Sequence, residues 1–240
     1  MKKLCIVLPT HNEAQVLAKN VHAVHAFCTD MLSDYAWNIC IADNGSRDAT
    51  PIIAAALSHE LPDVTYFHAD GTGRGAALRR AWSESSADIL CYMDVDLATD
   101  LRALPFLVNA IHDGADIAVG SRFMQSASVQ RSWGREWMSR TYNWMTRHLL
   151  HLRIHDAQCG FKAINKKTAQ ELLPLIHNDQ WFFDTELLVL GEHHGMTILE
   201  IPVTWVEARD RKRKSTVRIF RTIIKICREI WRLRRSVTSR

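Results

Sequence analysis

Two acidic residues one position apart carry the strongest chemical signal in this chain of 240 residues. Asp94 and Asp96 follow an apolar run at residues 89–93, which predicts a buried strand. Residues two apart in an extended segment point to the same side, so the two carboxylates can bind Mg²⁺ or Mn²⁺ together with substrate phosphates. A solvated acidic turn or a helix cap would show the same pattern, which is common in unrelated sequences.

Polar loops also follow four other apolar runs. Asp43 ends the second run, where its carboxylate either accepts a hydrogen bond from a base or a ribose or caps the next helix. Ser46 or Asp48 could cap instead and leave Asp43 to a ligand. The glycines around Arg74 suggest a phosphate loop without completing any known phosphate motif, so a tight turn before a helix is the alternative.

Strands and helices alternate along the first half of the chain, and this order must position the loops. The alternation predicts an α/β, Rossmann-like fold with a mostly parallel sheet and helices on both faces. Ligands bind such sheets beyond the carboxyl ends of the strands, so the polar loops should meet at one edge. The predicted strands cover residues 4–8, 37–42, 64–67, 89–93, 117–119, 161–164 and 197–206. The predicted helices cover residues 13–27, 48–57, 75–84, 101–111, 133–150, 183–193 and 217–235.

The charge is distributed unevenly along the chain. The net charge is +4, but residues 211–240 hold twelve Lys or Arg and one acid, so the remainder carries −7. We therefore expect a domain over residues 1–210, followed by a basic loop and a C-terminal amphipathic helix over residues 211–240. Apolar residues at helical spacing opposite a basic side are typical of a helix lying on an anionic membrane surface. An ordinary helix that packs its apolar side on the domain is the alternative.

Several classes of protein are disfavoured by composition. No apolar run reaches the roughly 18 residues that a membrane span needs, and no leader peptide is recognisable. The six cysteines form no C-x-x-C pair and the twelve histidines show no ligand spacing, so we expect reduced thiols and no histidine metal site. No nucleic-acid motif accompanies the basic tail. We expect a cytoplasmic protein that sits peripherally at the cytoplasmic face of a membrane.

Together these motifs resemble the GT-A family 2 glycosyltransferases, in particular the dolichyl-phosphate glucose and mannose synthases and their polyprenyl-phosphate relatives. The resemblance spans roughly residues 4–216, and the order and spacing of the motifs make it specific. The matching segments are PTHNE at 9–13, DNGS at 43–46, GRG at 73–75, DVDL at 94–97, GSR at 120–122, DAQCGFK at 156–162, WFFDTE at 181–186 and EIPVTWVE at 200–207.

The resemblance implies a donor site for a nucleoside-diphosphate sugar. Asp94 would contact the ribose or the metal, and Asp96 would bind the metal, Mg²⁺ or Mn²⁺, and the diphosphate. Ala98 stands where mannose synthases can carry a glutamine, which favours UDP-glucose over GDP-mannose. The other donor-side residues that the resemblance implies are Pro9, Thr10 and Glu13 at the nucleoside, Asp43 at the base, and Arg74.

The resemblance also implies an acceptor site for a polyprenyl phosphate. This acceptor is already nucleophilic and needs positioning and charge neutralisation more than a general base. Arg122 and Arg135 match arginines that grip the phosphate, with Ser139 one turn beyond Arg135. Lys214 falls in a loop that closes over the diphosphate. A plain surface position is the alternative for each arginine.

The acidic residues Asp184 and Glu186 are compatible with either a phosphate or a hydroxyl acceptor. In lipid-phosphate synthases Asp184 would contact the donor sugar, whereas in relatives that use a hydroxyl acceptor Asp184 or Glu186 would be the general base. Acids that favour a helix N-terminus are the structural alternative. The hypothesis is therefore an inverting hexosyltransferase acting on a polyprenyl phosphate. The rivals are the same fold with a hydroxyl acceptor, a non-catalytic membrane adaptor that binds nucleotide sugars or lipid, and a nucleotidyltransferase.

Overall fold

The computed structural model describes residues 1–69, 73–130, 133–206 and 219–238. A seven-stranded sheet with the order β3-β2-β1-β4-β7-β5-β8 forms its centre, and β6 pairs with β9 in a small second sheet. The strands are β1 Lys3–Thr10, β2 Ala36–Asn44, β3 Val64–Ala69, β4 Ile89–Met93, β5 Ile117–Ser121, β6 Ser128–Gln130, β7 Phe161–Asn165, β8 Ile198–Pro202 and β9 Thr204–Val206. The α-helices are α1 Leu17–Met31, α2 Thr50–Glu60, α3 Arg74–Glu84, α4 Leu104–His112, α5 Trp133–Leu150, α6 Lys166–Leu172, α7 Phe183–His193 and α8 Ile219–Thr238.

The central strands are buried on both sides, as a sheet covered by helices requires. Every residue of β4 is buried, and so are residues 4–8 of β1. Alternate side chains of these strands enter two apolar layers, one on each face of the sheet. Because β1 pairs in parallel with both β2 and β4, the loops after these three strands meet at one edge. The predicted α/β architecture is confirmed.

The second half of the chain differs from the prediction in its pairing. β7 lies between β4 and β5 and runs antiparallel to both, so the sheet is mixed there. The predicted strand at 197–206 divides into β8 and β9, and β9 pairs with β6, which was not predicted. Helix α6 was also missed, although the Asn165 side chain caps it by accepting from the Thr168 N–H.

Helix α8 packs against α5 and α7. Ile230 and Leu233 are each 3% exposed, and Ile226 packs on the same apolar layer. These three residues of its apolar side therefore contact the domain, as the packing alternative expects, whereas Trp231 on the same helix is 56% exposed. The expected boundary at 210/211 lies outside the described residues. Among the helices that the structure describes, none is long and apolar enough to cross a membrane.

Candidate active site

The turn that carries Asp94 and Asp96 leaves the carboxyl end of β4. The Asp94 N–H donates to the Gly160 carbonyl over 3.0 Å, and the Leu97 N–H donates back to the Asp94 carbonyl over 3.2 Å. Leu97 has a φ of +50°, which is uncommon for a residue with a side chain, and strained backbone of this kind clusters at functional sites. The turn thereby holds the two acidic side chains close together.

The pKa of Asp94 is raised above its ordinary value. Desolvation by the surrounding protein is the largest cause, and the negative charges of Asp96 and Asp184 add to it. The Arg74 guanidinium, whose Nη2 lies 3.8 Å from an Asp94 oxygen, opposes the rise. Because the Asp94 side chain is still 41% exposed, its carboxylate faces the cleft and is accessible to a ligand.

A buried network of charges lies beneath Asp94. Arg74 Nη2 donates to Tyr92 Oη over 2.9 Å and to Asp184 Oδ2 over 3.1 Å. Lys162 Nζ lies 3.0 Å from Asp184 Oδ1, and the Tyr92 hydroxyl donates to the same oxygen. The Arg74 guanidinium also stacks on the ring of Trp181, 4.7 Å from its centroid. Although burial alone would raise it, the pKa of Asp184 is lowered because the charges of Lys162 and then Arg74 outweigh desolvation.

Gly160 provides the space that the Asp94 carboxylate occupies. A Cβ built on Gly160 would overlap both carboxylate oxygens of Asp94. Any larger residue at position 160 must therefore displace the acidic side chain. The DAQCGFK segment thus supports Asp94 from below, a contact that the sequence did not predict.

The nucleoside side of the cleft is built from β1, β2 and β3. Asp43 is fully buried, and its carboxylate accepts from the Ser46 N–H over 3.1 Å and pairs with His68 Nδ1 at 2.8 Å. It caps no helix, because Asp48 accepts from the Thr50 N–H at the start of α2. His68 is 42% exposed, so the imidazole is the more accessible member of the pair.

The other predicted nucleoside residues cluster at the end of β1. Pro9 is half-buried within β1, and the buried Thr10 hydroxyl has no hydrogen-bond partner among the described residues. The Glu13 N–H donates to the Thr50 hydroxyl over 2.8 Å. Asn12, at φ +56°, accepts from the Arg47 N–H, which ties this loop to the one after β2. The structure therefore brings Pro9, Thr10 and Glu13 to the loops around Asp43.

Arg122 lies at the carboxyl end of β5 and is paired with Asp156. Its Nε and Nη2 donate to the Asp156 carboxylate over 2.7 and 2.8 Å, and its backbone N–H donates over 3.0 Å. Both side chains are largely buried, and Arg122 with its backbone N–H lowers the pKa of Asp156 against the effect of burial. The predicted phosphate-gripping arginine is thus engaged along one edge by a carboxylate that the sequence did not pair with it.

The remaining acceptor-side residues are only partly described. Position 135 lies in the first turn of α5, and the half-buried Ser139 follows one turn later. Lys214 lies outside the described residues. The inner side of α5 is joined to the site, because Tyr142 Oη and the Thr185 hydroxyl are 2.6 Å apart and the Ala157 N–H donates to Asn143 Oδ1 over 3.1 Å.

Glu186 forms a hydrogen bond with the loop before α7. Its side chain is buried, and one carboxylate oxygen accepts from the Asn178 N–H over 2.8 Å. Asp184 is 3% exposed and already contacts Lys162, Arg74 and Tyr92. Both carboxylates are therefore buried and already hold partners within the protein.

A divalent cation fits the half-buried acidic pair Asp94 and Asp96. The negative charge of Asp96 is one of the causes that raise the pKa of Asp94, and a bound cation would offset that charge. Within the described ranges, no group of three His, Cys, Asp or Glu side chains could hold a metal. Two carboxylates with the remaining positions left to substrate phosphates are the arrangement that Mg²⁺ commonly uses.

Three residues of the site were not predicted from the sequence as functional. Tyr92 was predicted only as part of an apolar strand, and His68 lay just beyond the predicted strand at 64–67, which extends to Ala69 in the structure. Lys162 carried a visible signal, because a lysine inside a buried apolar strand needs partners for its charge. His68 is found only from the register, which aligns it with Asp43 across β2 and β3.

Proteins of known family are similar to most of this chain. Residues 5–173 match the family model described as glycosyl transferase family 2. The glycosyltransferase AglD of Haloferax volcanii is 35% identical over 233 residues, which cover 96% of this chain but 37% of AglD. The polyprenol monophosphomannose synthase of Mycolicibacterium smegmatis is 30% identical over 218 residues, covering 86% and 78%. The human dolichyl-phosphate beta-glucosyltransferase is 26% identical over 227 residues, covering 88% and 69%.

Solved structures share the fold. Glucosyl-3-phosphoglycerate synthase from Mycobacterium tuberculosis, in a complex with Mn²⁺, UDP and glucosyl-3-phosphoglycerate, superposes with a TM-score of 0.67. The match covers 98% of this chain and 80% of that one at 18% identity. At this level of identity, the likeness shows the architecture alone.

Proposed function

The chain belongs to glycosyl transferase family 2, and from that premise we propose that it moves a hexose from a nucleoside-diphosphate sugar to a polyprenyl phosphate with inversion at the anomeric carbon. The observation that carries the proposal is the pair Asp94 and Asp96, of which Asp94 is 41% exposed and lies 3.8 Å from the guanidinium of Arg74. The two carboxylates can hold a metal ion and the guanidinium is positively charged, so both would stabilise the diphosphate of a nucleoside-diphosphate sugar. The names of the relatives supply the acceptor class.

Asp94 and Asp96 would hold Mg²⁺ or Mn²⁺, which when bound supplies positive charge to the departing nucleoside diphosphate. Arg74 would contribute a second positive group from the floor of the cleft, where Tyr92 and Asp184 fix its orientation. The pairing keeps this guanidinium positioned before the donor arrives. Preorganised charge of this kind favours the transition state.

The donor nucleoside would lie across the loops of β1 and β2. We propose that the His68 imidazole, held by the buried Asp43, contacts the base, while Pro9, Thr10 and Glu13 line the same pocket. UDP-glucose is the favoured donor, because Ala98 replaces the glutamine that mannose synthases can carry. The relatives include both glucosyl and mannosyl enzymes, so the donor must be measured.

The acceptor phosphate would bind on the other side of Asp94. Asp156 occupies the Nε and Nη2 edge of Arg122, so we propose that Nη1 meets the phosphate, assisted by Arg135, Ser139 and Lys214. A phosphate oxygen attacks the anomeric carbon without transferring a proton to the protein. The engagement of Asp184 and Glu186 favours this acceptor over a hydroxyl, which would need one of them as base.

The exposed face of α5 is the surface that we propose for an anionic membrane. Trp133, Trp137 and Trp144 are 83%, 62% and 59% exposed, and spacings of four and seven residues place them on one side of the helix. Tyr142 and Thr146 are buried on the opposite side. Exposed tryptophans with neighbouring arginines are typical of the membrane interface, and we place the contact at a cytoplasmic face.

The proposal is tested with purified protein, Mn²⁺ or Mg²⁺, and radiolabelled UDP-glucose or GDP-mannose. Polyprenyl phosphate in detergent and a water-soluble alcohol are offered in parallel. We expect label in the organic phase from UDP-glucose, with an inverted anomeric centre in the product. Label on the soluble alcohol alone would establish the hydroxyl acceptor, and binding of lipid without transfer would establish the adaptor. Release of pyrophosphate would establish a nucleotidyltransferase.

A further inference from the structure

Lys162 is fully buried at the centre of the site, although it is absent from the cleft surface. Its ammonium donates to the carbonyl oxygens of Cys159 and Ala157 over 2.6 and 3.1 Å. It also lies 3.3 Å from Tyr92 Oη and 3.0 Å from Asp184 Oδ1. Four oxygens thus surround one buried positive charge.

A buried ion pair of this kind is poorly explained by stability alone. Desolvation of both ions offsets most of their attraction, and apolar residues of similar size often replace such a pair at no loss of stability. The strand that carries Lys162 is otherwise apolar, and a methionine would fill the same space. The position of the ammonium therefore indicates a role in arranging its neighbours.

One set of Lys162 contacts holds the turn at residues 156–160 in place. The Lys162 ammonium donates to two carbonyl oxygens of this turn, and Gly160 in the same turn leaves the space that the Asp94 carboxylate occupies. Asp156 begins the turn and holds the guanidinium of Arg122. A shift of this turn would therefore move Asp94 and Arg122 together.

A second set of contacts, made through Tyr92 and Asp184, holds the Arg74 guanidinium in place. The Tyr92 hydroxyl donates its proton to Asp184, and its oxygen accepts from Arg74 Nη2 and lies within reach of Lys162 Nζ. All three hydrogen-bonding positions of the hydroxyl are thus used. Asp184 in turn contacts both Arg74 and Lys162, so the four side chains form one connected unit.

We propose that Lys162 and the Tyr92 hydroxyl are positioning residues that hold the donor-side groups Asp94 and Arg74 and the acceptor-side Arg122 in one arrangement. The inference rests on the proposed glycosyl transfer and goes beyond it, because it assigns a role to side chains that touch neither substrate. Fully buried, Lys162 acts only through its neighbours.

The test compares Lys162→Met with Lys166→Met. Lys166 begins α6 and also donates to backbone carbonyls, those of Trp82 and Ser85, but away from the cleft. We measure kcat and KM for UDP-glucose in the lipid-phosphate assay, with Tm as the control for folding. Lys162→Met should lower kcat by about a hundredfold, the loss that a displacement of about 1 Å can cause. The variant should still unfold in one transition, at a lower Tm because the buried Asp184 loses one of its counter-charges. Lys166→Met should keep the wild-type kcat.

A merely structural lysine would lower Tm and leave kcat per folded molecule unchanged, and that result would overturn the inference. If Lys162→Met fails to fold, Tyr92→Phe decides, since it keeps the ring and removes only the hydroxyl. We expect Tyr92→Phe to lower kcat about tenfold with a small change in KM; a folded variant with wild-type kcat would overturn the inference. Absence of transfer by the wild-type protein would instead refute the proposed function.

Discussion

The carboxylate of Asp94 lies directly against the Cα of Gly160, whose carbonyl accepts the Asp94 N–H over 3.0 Å. One glycine thus fixes both the backbone and the side chain of the acidic residue that faces the cleft. Asp94 directly follows β4 and Gly160 directly precedes β7, the antiparallel neighbour of β4 in the sheet.

Gly160→Ala should therefore impair the site while the fold is kept. The added methyl group must push the Asp94 carboxylate out of place, with about 1–3 kcal/mol of strain. We expect at least a tenfold loss of kcat/KM and weaker Mn²⁺ binding, measured by transfer assay and by titration calorimetry. Gly134→Ala is the matched control, because a Cβ there has no atom within 4 Å. Equal activity of the two variants would disprove the support role.

Asp156→Asn should weaken the fold and change its dependence on pH. Breaking a buried ion pair on one side typically costs about 3 kcal/mol, because Arg122 would be left without its counter-charge. The pKa of Asp156 is lowered in the folded state, so the stability that it contributes is present above its ordinary pKa of 3.8 and is lost as the pH falls below that value.

The measurement is urea unfolding between pH 2 and 6, with Asp30→Asn on the exposed side of α1 as control. The wild type should lose stability steeply below pH 3.8, and Asp156→Asn should show a shallower loss. Parallel curves for the wild type and Asp156→Asn would mean that the Arg122–Asp156 pair contributes nothing to acid sensitivity.

Replacing Trp133, Trp137 and Trp144 together with serine should weaken membrane binding. The three rings lie on the exposed side of α5, so their loss leaves the core intact. We expect at least a tenfold weaker partition onto vesicles of phosphatidylcholine and phosphatidylglycerol, measured by cosedimentation at equal salt. Phe106→Ser removes an aromatic ring that is 64% exposed on α4 and should leave binding unchanged. Unaltered binding of the triple variant would place the membrane contact elsewhere.

Alkylation should reach one cysteine quickly in the native protein. Cys227 is exposed, whereas the other five thiols are buried. Burial raises the pKa of Cys28, Cys40 and Cys159 to about 12, and raises those of Cys5 and Cys91 as well, so these thiols stay protonated near pH 8. Mass spectrometry after iodoacetamide treatment should show label at Cys227 first and at all six only in urea. Rapid native labelling at Cys159 would show that the region around Asp94 opens.

The sequence predicted the parts of this structure that depend on local patterns. Alternating apolar runs located β1 to β5, and the bounds of α5 and α7 match the predicted 133–150 and 183–193. The acidic pair after β4 was found because both its residues lie in one short segment. Helix α6 was missed because its apolar pattern is short, although Asn165 and Thr168 supply a cap.

Pairings between distant segments required the structure. An apolar run does not show which strand it pairs with or whether the pairing is parallel or antiparallel. The antiparallel insertion of β7 and the pairing of β6 with β9 therefore could not be predicted. Arg122 and Asp156 are 34 residues apart, and Asp184 meets Tyr92 across 92 residues. The contacts of Ile230 and Leu233 with the domain likewise required the structure, because an amphipathic pattern does not state which surface its apolar side meets.

The most direct test of the account measures transfer of radiolabelled glucose from UDP-glucose to polyprenyl phosphate by the wild type and by Asp96→Asn. Asp100→Asn is the control, since Asp100 is an acid of the same region that pairs with Arg102 and caps a short helix. The account predicts organic-phase product that EDTA abolishes, a loss of about a hundredfold or more in Asp96→Asn, and near-normal transfer by Asp100→Asn. Near-normal, EDTA-resistant transfer by a folded Asp96→Asn would contradict it.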